Sequence, residues 1–446
     1  MDPRKWLVTA CAFLVHVVLN FVLPLTVGWP APLDPVDHQF QRWAPEMLLS
    51  GHPERMYDSG FLYLPGASYL FFPFVLTSFD VSLVFLFVAQ VAAFFYVLIT
   101  FARLTDRLDN PRLEYLLVLL FASGVYWGYN YRVSNFKVLV LFFVVLAVRG
   151  ELLGDDRERG GGADERHGSE VEVGKGGRGV KGVGGFDRAE AGSIFCQVVA
   201  TSLIVYLLPL LAYKVLKDFS WKKLAFASAA FVAWNSAFFL PGVLSGFVGV
   251  MTNNLMDPGW YTQYELAGHG LFLYLKYLWN VPVWTFLGLG VLLGSVPVFL
   301  WQGETSAKFT LFYHLLVLAF YTHVEWQHFA FLVPPLFFLL VAYWPMPTLS
   351  DKSVPGLAKL DDQHLVATLR EVVPLLCLAG LSFPIPSSVL AAMGVPEVLQ
   401  PWKRLTFVVL FFAFTAARLL GDWNFRRPFS LRALLSLPSA REVGPE

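Results

Sequence analysis

The chain has 446 residues, of which 56% are hydrophobic, 16% aromatic and only 15% charged. Soluble domains carry roughly 25% charge, so polar side chains are too few here to cover a water-facing surface, while 42 Phe and 14 Trp exclude disorder over most of the length. Lys plus Arg and Asp plus Glu both number 33, so the net charge is zero and no global basic field exists to bind nucleic acid.

A helix crosses about 30 Å of hydrocarbon with about 20 mostly apolar residues. Runs of this kind fall at 6–28, 81–102, 113–130, 133–148, 221–241, 280–301, 308–321, 328–346, 371–392 and 403–422. Basic residues flank 192–213 on both sides, with Arg188 before it and Lys214, Lys217, Lys222 and Lys223 after. A single pass would place one basic cluster outside, so the segment reads as a hairpin of two short or broken helices with Pro209 in its second arm. The expected fold is all-α: one polytopic domain over 1–446 with about 10–12 transmembrane helices. The N-terminal run from Trp6 exceeds a signal-peptide core and lacks a small-residue cleavage site, so it reads as a retained first span.

With the N-terminus placed in the cytoplasm, all but seven of the 33 basic residues fall inside. The outer seven are Arg42, Arg55, Arg132, Lys137, Lys276, Lys403 and Arg404. The positive-inside bias therefore predicts a multi-pass cell-membrane protein with both termini cytoplasmic. Cys11, Cys196 and Cys377 lie inside apolar runs without CxxC spacing, so neither a disulfide nor a zinc site is expected.

Residues 154–192 are rich in Gly and charge and poor in large apolar side chains, the composition of a flexible cytoplasmic linker. Their glycines do not form a phosphate loop, since no strand precedes them and no GK[ST] follows. The outer loops 29–80 and 242–279 carry aromatics and single polar residues, so they should fold back on the bilayer surface and build any site.

In the first outer loop, Asp34 followed by Pro35 reads as a helix N-cap with proline at the first helical position, and Asp37 falls in the first turn. Phe40, Trp43, Met47 and Leu48 recur at three- and four-residue spacing and Gly51 supplies a stop, predicting an amphipathic surface helix. Asp34 and Asp37 lie three residues apart, on one face if both are helical. From the residues alone, the two aspartates are either capping residues or carboxylates that deprotonate an acceptor hydroxyl at the water–lipid boundary.

The run Asp37…Ala44…Leu48-Leu49-Ser50-Gly51…Tyr57…Tyr63-Leu64-Pro65 resembles the first luminal loop of integral-membrane glycosyltransferases of the C superfamily. Within it, the similarity is to the polyprenyl-phosphate-mannose-dependent alpha-mannosyltransferases and to the first mannosyltransferase of GPI-anchor synthesis. Tyr131-Arg132-Val133-Ser134-Asn135 resembles their Arg/Gly-Asn or Gly-Gln-x-Asn element. Tyr261…Tyr264…Gly268-His269-Gly270-Leu271-Phe272 stands where they carry an Asn-rich motif, without the Asn-Ser pair. Thr322-His323-Val324-Glu325-Trp326-Gln327-His328, followed by Pro334-Pro335, is similar to their Ser-Trp-x-His turn ahead of a proline-containing span.

The resemblance implies transfer of a hexose, mannose in those families, from a polyprenyl-phosphate sugar donor to a hydroxyl of a lipid or glycan acceptor on the outer face. Asp37 is then the catalytic base, with Asp34 second, and transfer is inverting. Arg132, Asn135, Tyr57, Tyr63, His269, Glu325, Trp326 and His328 are the candidates for donor phosphate and sugar. Arg132 and Lys137 alternatively read as interfacial cations that snorkel, and Trp326 as a belt aromatic. His323 and His328 bracket Glu325, but if the turn is helical only Glu325 and His328 face one way, and two ligands without a third nearby do not point to a metal site. No cofactor is expected, and a divalent cation stays open. Two other classes remain, a secondary transporter and a non-catalytic membrane subunit of a glycan-assembly complex. Transporters place ionisable residues at mid-membrane, where this chain has chiefly His16 and His314, both also readable as packed side chains.

Overall fold

The computed structural model describes residues 2–27, 34–59, 61, 63–108, 110–153, 188–216, 219–256, 329–343, 375–380, 382–383 and 392–394. The expected spans 280–301, 308–321 and 403–422 lie outside them, as do most of 371–392, residues 154–187 of the linker and 257–279 of the second outer loop.

The described residues are helical and contain no strand. The first helix, α1 (Pro3–Val17), starts with Asp2 as N-cap and Pro3 in its first turn. It continues through a π-turn, Val18–Val22, into α2 (Leu23–Val27). Then come α3 (Val36–Leu49), α4 (Ala67–Val75) and α5 (Phe79–Leu104). Two helices follow that the apolar pattern reads as one span, α6 (Pro111–Ser123) and α7 (Val125–Arg132). The break is Gly124, whose backbone is extended at φ −54°, ψ 127°, and the Trp127 indole N–H donates to the Phe121 carbonyl at 2.9 Å, an acceptor at the break.

The remaining helices are α8 (Lys137–Leu153), α9 (Arg188–Leu203), α10 (Leu208–Leu216), α11 (Trp221–Trp234), α12 (Val243–Met256) and α13 (Phe329–Tyr343). Between α9 and α10 the chain leaves helical geometry at Ile204 (φ −143°, ψ 102°). Pro209 opens the second arm and the two arms touch, as expected of a broken hairpin. In the bundle, α8 packs on α5, α9 and α13, α1 packs on α6, and α9 packs on α11. Phe94, Phe101, Phe121 and Trp127 meet Phe337 and Phe338 of α13 in an aromatic centre.

Among the described residues, two helices, Pro3–Thr26 with 24 residues and Phe79–Leu104 with 26, are long and apolar enough to cross a membrane. Both turn apolar residues outward, and α1 buries a mainly polar stripe. The buried stripe of α1 is Lys5, Thr9, Ala12 and His16, while Leu7 and Leu14 are 66% and 62% exposed. In α5, Val84 and Val88 are exposed, while Ser82 and Gln90 are buried on a side that is otherwise mostly apolar, with Leu86, Phe94 and Phe101. Water penalises an outward apolar face of this extent and lipid does not, so these two helices are suited to a membrane by length and composition.

Ion pairs and hydrogen bonds define two ends of the bundle. At one end, Lys5 at the start of α1 pairs with Asp106 beyond α5 and, at 2.9 Å, with Glu114 of α6. At the other end lie α3, the loop 63–66 and the α7–α8 junction.

Candidate functional site

The junction from Tyr131 to Lys137 is the centre of the site. Ser134 has φ 56°, the one described non-glycine residue in the left-handed region, where a β-carbon costs about 1–2 kcal/mol. Several bonds hold it there: Ser134 N–H to the Tyr131 carbonyl and Asn135 N–H to the Asn130 carbonyl, both at 3.0 Å, and Gln41 Nε2 to the Ser134 carbonyl at 2.9 Å. Asn130 sits beneath, its Oδ1 accepting from the Lys137 N–H at 3.2 Å and its Nδ2 donating to Gln90 Oε1 at 2.6 Å. A strained residue held by so many contacts is the usual mark of a positioned loop.

Helix α3 is strapped to that junction. The Asp34 N–H donates to the Arg132 carbonyl at 2.8 Å and the Asp37 N–H to the Val133 carbonyl at 3.2 Å. Asn135 Nδ2 then donates to Asp37 Oδ2 at 2.5 Å, the short geometry of a hydrogen bond onto a carboxylate. Asp37 is half-buried. Nearby, Gln41 Oε1, Ser134 Oγ and Asn135 Oδ1 are buried without a hydrogen-bond partner among the described residues.

Asp34 departs from its expected role. Helix α3 starts at Val36 after Pro35, no side chain caps it, and the Asp34 carbonyl is taken by the Val36 N–H at 2.8 Å. Asp34 is exposed and outside the helix, so helical i, i+3 spacing does not place it on one face with Asp37. Asp37 is in the first turn, as expected. The stop at Gly51 also holds: with φ 78°, it donates to Leu48 at 3.4 Å while His52 donates to Met47 at 2.9 Å, a Schellman closure.

The face that α3 turns inward differs from the apolar stripe. His38, Gln41, Ala44 and Pro45 are buried, whereas Phe40 is exposed and Trp43 and Met47 are half-buried. The polar side builds the site and the aromatic side faces out, as suits a helix on a lipid surface. His38 Nε2 donates to Ser82 Oγ at 2.7 Å, because that hydroxyl gives its own proton to the Phe79 carbonyl at 2.8 Å. Arg42 Nη1 reaches the same hydroxyl at 3.0 Å. Burial lowers the His38 pKa from 6.5 to about 4, with Gln41 opposing and the Arg42 charge assisting.

The loop that carries Tyr57 and Tyr63 closes on the same junction. Tyr57 is buried, its hydroxyl donates to the Tyr63 carbonyl at 3.1 Å, and burial pushes its pKa up, so it stays a neutral donor. Tyr57 therefore supports the loop. The Tyr63 ring meets Phe136 edge-on at 4.7 Å, and Lys137 Nζ lies 5.5 Å from the Tyr63 ring. Farther along, Leu64 N–H donates to the Ser202 carbonyl at 3.0 Å and Gly66 N–H to Asn235 Oδ1 at 3.1 Å.

Of the residues singled out from sequence, Asp37 and Asn135 meet through their side chains, Asp34 and Arg132 through their backbones, and Tyr63 adjoins them through Phe136 with Tyr57 bonded behind it. His269, Glu325, Trp326 and His328 lie outside the described residues, as does His314. Sequence reasoning missed Gln41, Ser134, Lys137 and Asn235. Gln41 was readable, since it follows Asp37 by four residues on a predicted helix. His16 is a packed side chain. Its Nδ1 donates to the Ala122 carbonyl and its Nε2 accepts from the Tyr131 hydroxyl, both at 3.0 Å, and its ring stacks on Phe94. Among the described residues no three His, Cys, Asp or Glu side chains gather.

Chemically, the junction presents an oriented, half-buried carboxylate on Asp37, with Arg132 and the buried Lys137 in the same stretch of chain that holds it and, among the described residues, unpartnered Ser134 Oγ and Asn135 Oδ1 atoms. Such a set accepts a proton from a hydroxyl and attracts an anion. No family model, curated protein or solved structure matches the chain.

Proposed function

We propose that the chain is a polytopic membrane glycosyltransferase that moves a hexose, mannose on the family resemblance, from a polyprenyl-phosphate donor to an acceptor hydroxyl. The observation that carries this reading is the hydrogen bond from Asn135 to Asp37, together with the backbone bonds that fasten 34–37 to 132–133. Two segments far apart in sequence, each resembling a glycosyltransferase motif, meet at one end of the bundle with a carboxylate between them. The donor's tail lies in hydrocarbon and its phosphate at the interface, which accounts for building such a site on apolar helices.

In this reading Asp37 accepts the proton of the acceptor hydroxyl as its oxygen bonds to the anomeric carbon. The bond from that carbon to the phosphate oxygen breaks, and its electron pair leaves with the lipid phosphate on the opposite face, so the configuration inverts. Asn135 holds the carboxylate in register, and Arg132 stabilises the departing charge. The end bearing Asp37 faces outward, and the end with Lys5, Asp106 and Glu114 faces the cytoplasm with both termini, following the basic-residue bias.

The test is transfer by purified protein, supplied with labelled polyprenyl-phosphate sugars and a panel of glycolipid and glycan acceptors. Labelled product with inverted linkage supports the reading, and Arg132→Ala is expected to raise the donor KM by about tenfold or more, the loss of one charge-assisted contact. No transfer to any acceptor, in a preparation that remains folded and monodisperse, overturns it.

A further inference from the structure

We propose that His16 and Tyr131 are positioning residues for sugar transfer, through which the first helix sets Asn135 against Asp37; this rests on the glycosyltransferase reading above. The segment leading to Asn135, α7, is a half-helix of eight residues between the break at Gly124 and the left-handed turn at Ser134. So short a helix has few backbone bonds of its own to fix its direction, and side chains from other helices supply the rest. His16 of α1 reaches both of its ends. Its Nδ1 donates to the Ala122 carbonyl, just before the break, and its Nε2 accepts from the hydroxyl of Tyr131, in the last turn, each at 3.0 Å. A carbonyl can only accept, so the proton sits on Nδ1 and one neutral tautomer serves both bonds. The backbone of Tyr131 continues the path. Its carbonyl accepts from the N–H of Ser134 at 3.0 Å, a bond that helps hold that residue left-handed immediately before Asn135.

The first helix is shaped for this contact. Two residues after His16 it widens into the π-turn Val18–Val22, which packs on α7, and the Phe21 ring lies 4.2 Å from the Tyr131 ring. Such turns inside α-helices recur at functional sites. Asn20 of the turn is buried with its amide 3.4 Å from His16 Nδ1, and from α5 the Gln90 Oε1 accepts from Asn130 Nδ2 of α7 at 2.6 Å. His16, Asn20, Gln90, Asn130 and Tyr131 are each at most 1% exposed. Polar side chains this deep among membrane helices are expensive and are usually kept for function, while a hydrogen bond between such helices returns little stability. Placement has the larger effect, since moving a catalytic group by about 1 Å costs about a hundredfold in rate. Loss of the brace therefore reads in turnover before it reads in unfolding.

The experiment compares steady-state transfer and thermal unfolding of purified full-length wild type, Tyr131→Phe, His16→Ala, His16→Gln, Asn135→Ala and the double variant Tyr131→Phe/Asn135→Ala. Tyr131→Phe keeps the ring beside Phe21 and removes only the hydroxyl. Expected for it is a kcat lower by about tenfold, a part of the cost of misplacement, with donor KM and unfolding temperature near wild type. His16→Gln, whose Oε1 can accept from the Tyr131 hydroxyl, is expected to recover part of the rate that His16→Ala loses. Because Tyr131 acts through Asn135, its substitution adds little to the loss in Asn135→Ala, whereas independent contributions multiply. An unchanged kcat in Tyr131→Phe, or losses that multiply in the double variant, overturns the positioning role and leaves the glycosyltransferase reading standing. Absence of transfer by wild type overturns that reading and the inference with it. If the His16 variants fail to fold, Tyr131→Phe and the double variant decide.

Discussion

Asn135 donates its side-chain amide to Asp37 Oδ2 at 2.5 Å across 98 positions of sequence, and the same stretch of chain, through Val133, accepts the Asp37 backbone N–H. The carboxylate is thus held at both its backbone and its side chain. That double hold fixes which way the carboxylate faces, and positioning of this kind is what a general base requires.

Removing the side-chain hold should lower turnover while leaving the bundle intact. Asn135→Ala is expected to reduce the transfer rate by about ten- to a hundredfold, the cost of a misplaced catalytic group, with little change in thermal unfolding. Steady-state kinetics on purified variants check this, and an unchanged rate would separate Asn135 from the function of Asp37.

Gly66 is fixed by contact rather than by its backbone angle. A β-carbon there would stand 2.4 Å from both the Trp234 carbonyl oxygen and its indole Cδ1, so Gly66→Ala forces the 63–66 loop off α11. The expected loss is about 1–3 kcal/mol of stability, read as a lower unfolding temperature, together with reduced transfer because Tyr63 moves with the loop. A wild-type melting temperature would show that the loop tolerates displacement.

His38 supplies a pH dependence. Its pKa is lowered from 6.5 to about 4 by burial, with Gln41, Ser82 and Arg42 as the polar groups facing it. The unfolded chain therefore binds this proton first as pH falls. The stability that neutral His38 contributes is complete above about pH 6.5 and is lost progressively down to about pH 4, with a limiting slope of about 1.4 kcal/mol per pH unit. Unfolding temperatures from pH 7.5 to 4 should show this fall, and His38→Gln should flatten it. An equal slope in the variant would assign the effect to other groups.

Fold class was readable because apolar runs of about 20 residues permit little besides helices in lipid, and α5 and α13 fall close to the runs that mark them. The interruption at Gly124 was not, since a glycine inside an apolar run reads as helix until Trp127 is seen capping the break. For α3, the Gly51 stop and the first-turn position of Asp37 could be read locally. The inward face could not, because a stripe of Phe40, Trp43 and Met47 signals burial without saying whether lipid or protein provides it. Asp37 and Asn135 were found through motif resemblance. Lys137 was hidden by its position ahead of an apolar run, the ordinary place of an interfacial cation, and Ser134 because its left-handed backbone is imposed by tertiary bonds from Gln41 and Asn130.

The central claim is that Asp37 is the base of sugar transfer. The most direct measurement is the transfer rate of Asp37→Asn against wild type, in purified protein given polyprenyl-phosphate mannose and an acceptor that wild type uses. The account predicts wild-type expression, unfolding temperature and donor binding, with transfer reduced by about a thousandfold or more, within the range for removing a general base. Full transfer by Asp37→Asn would contradict it.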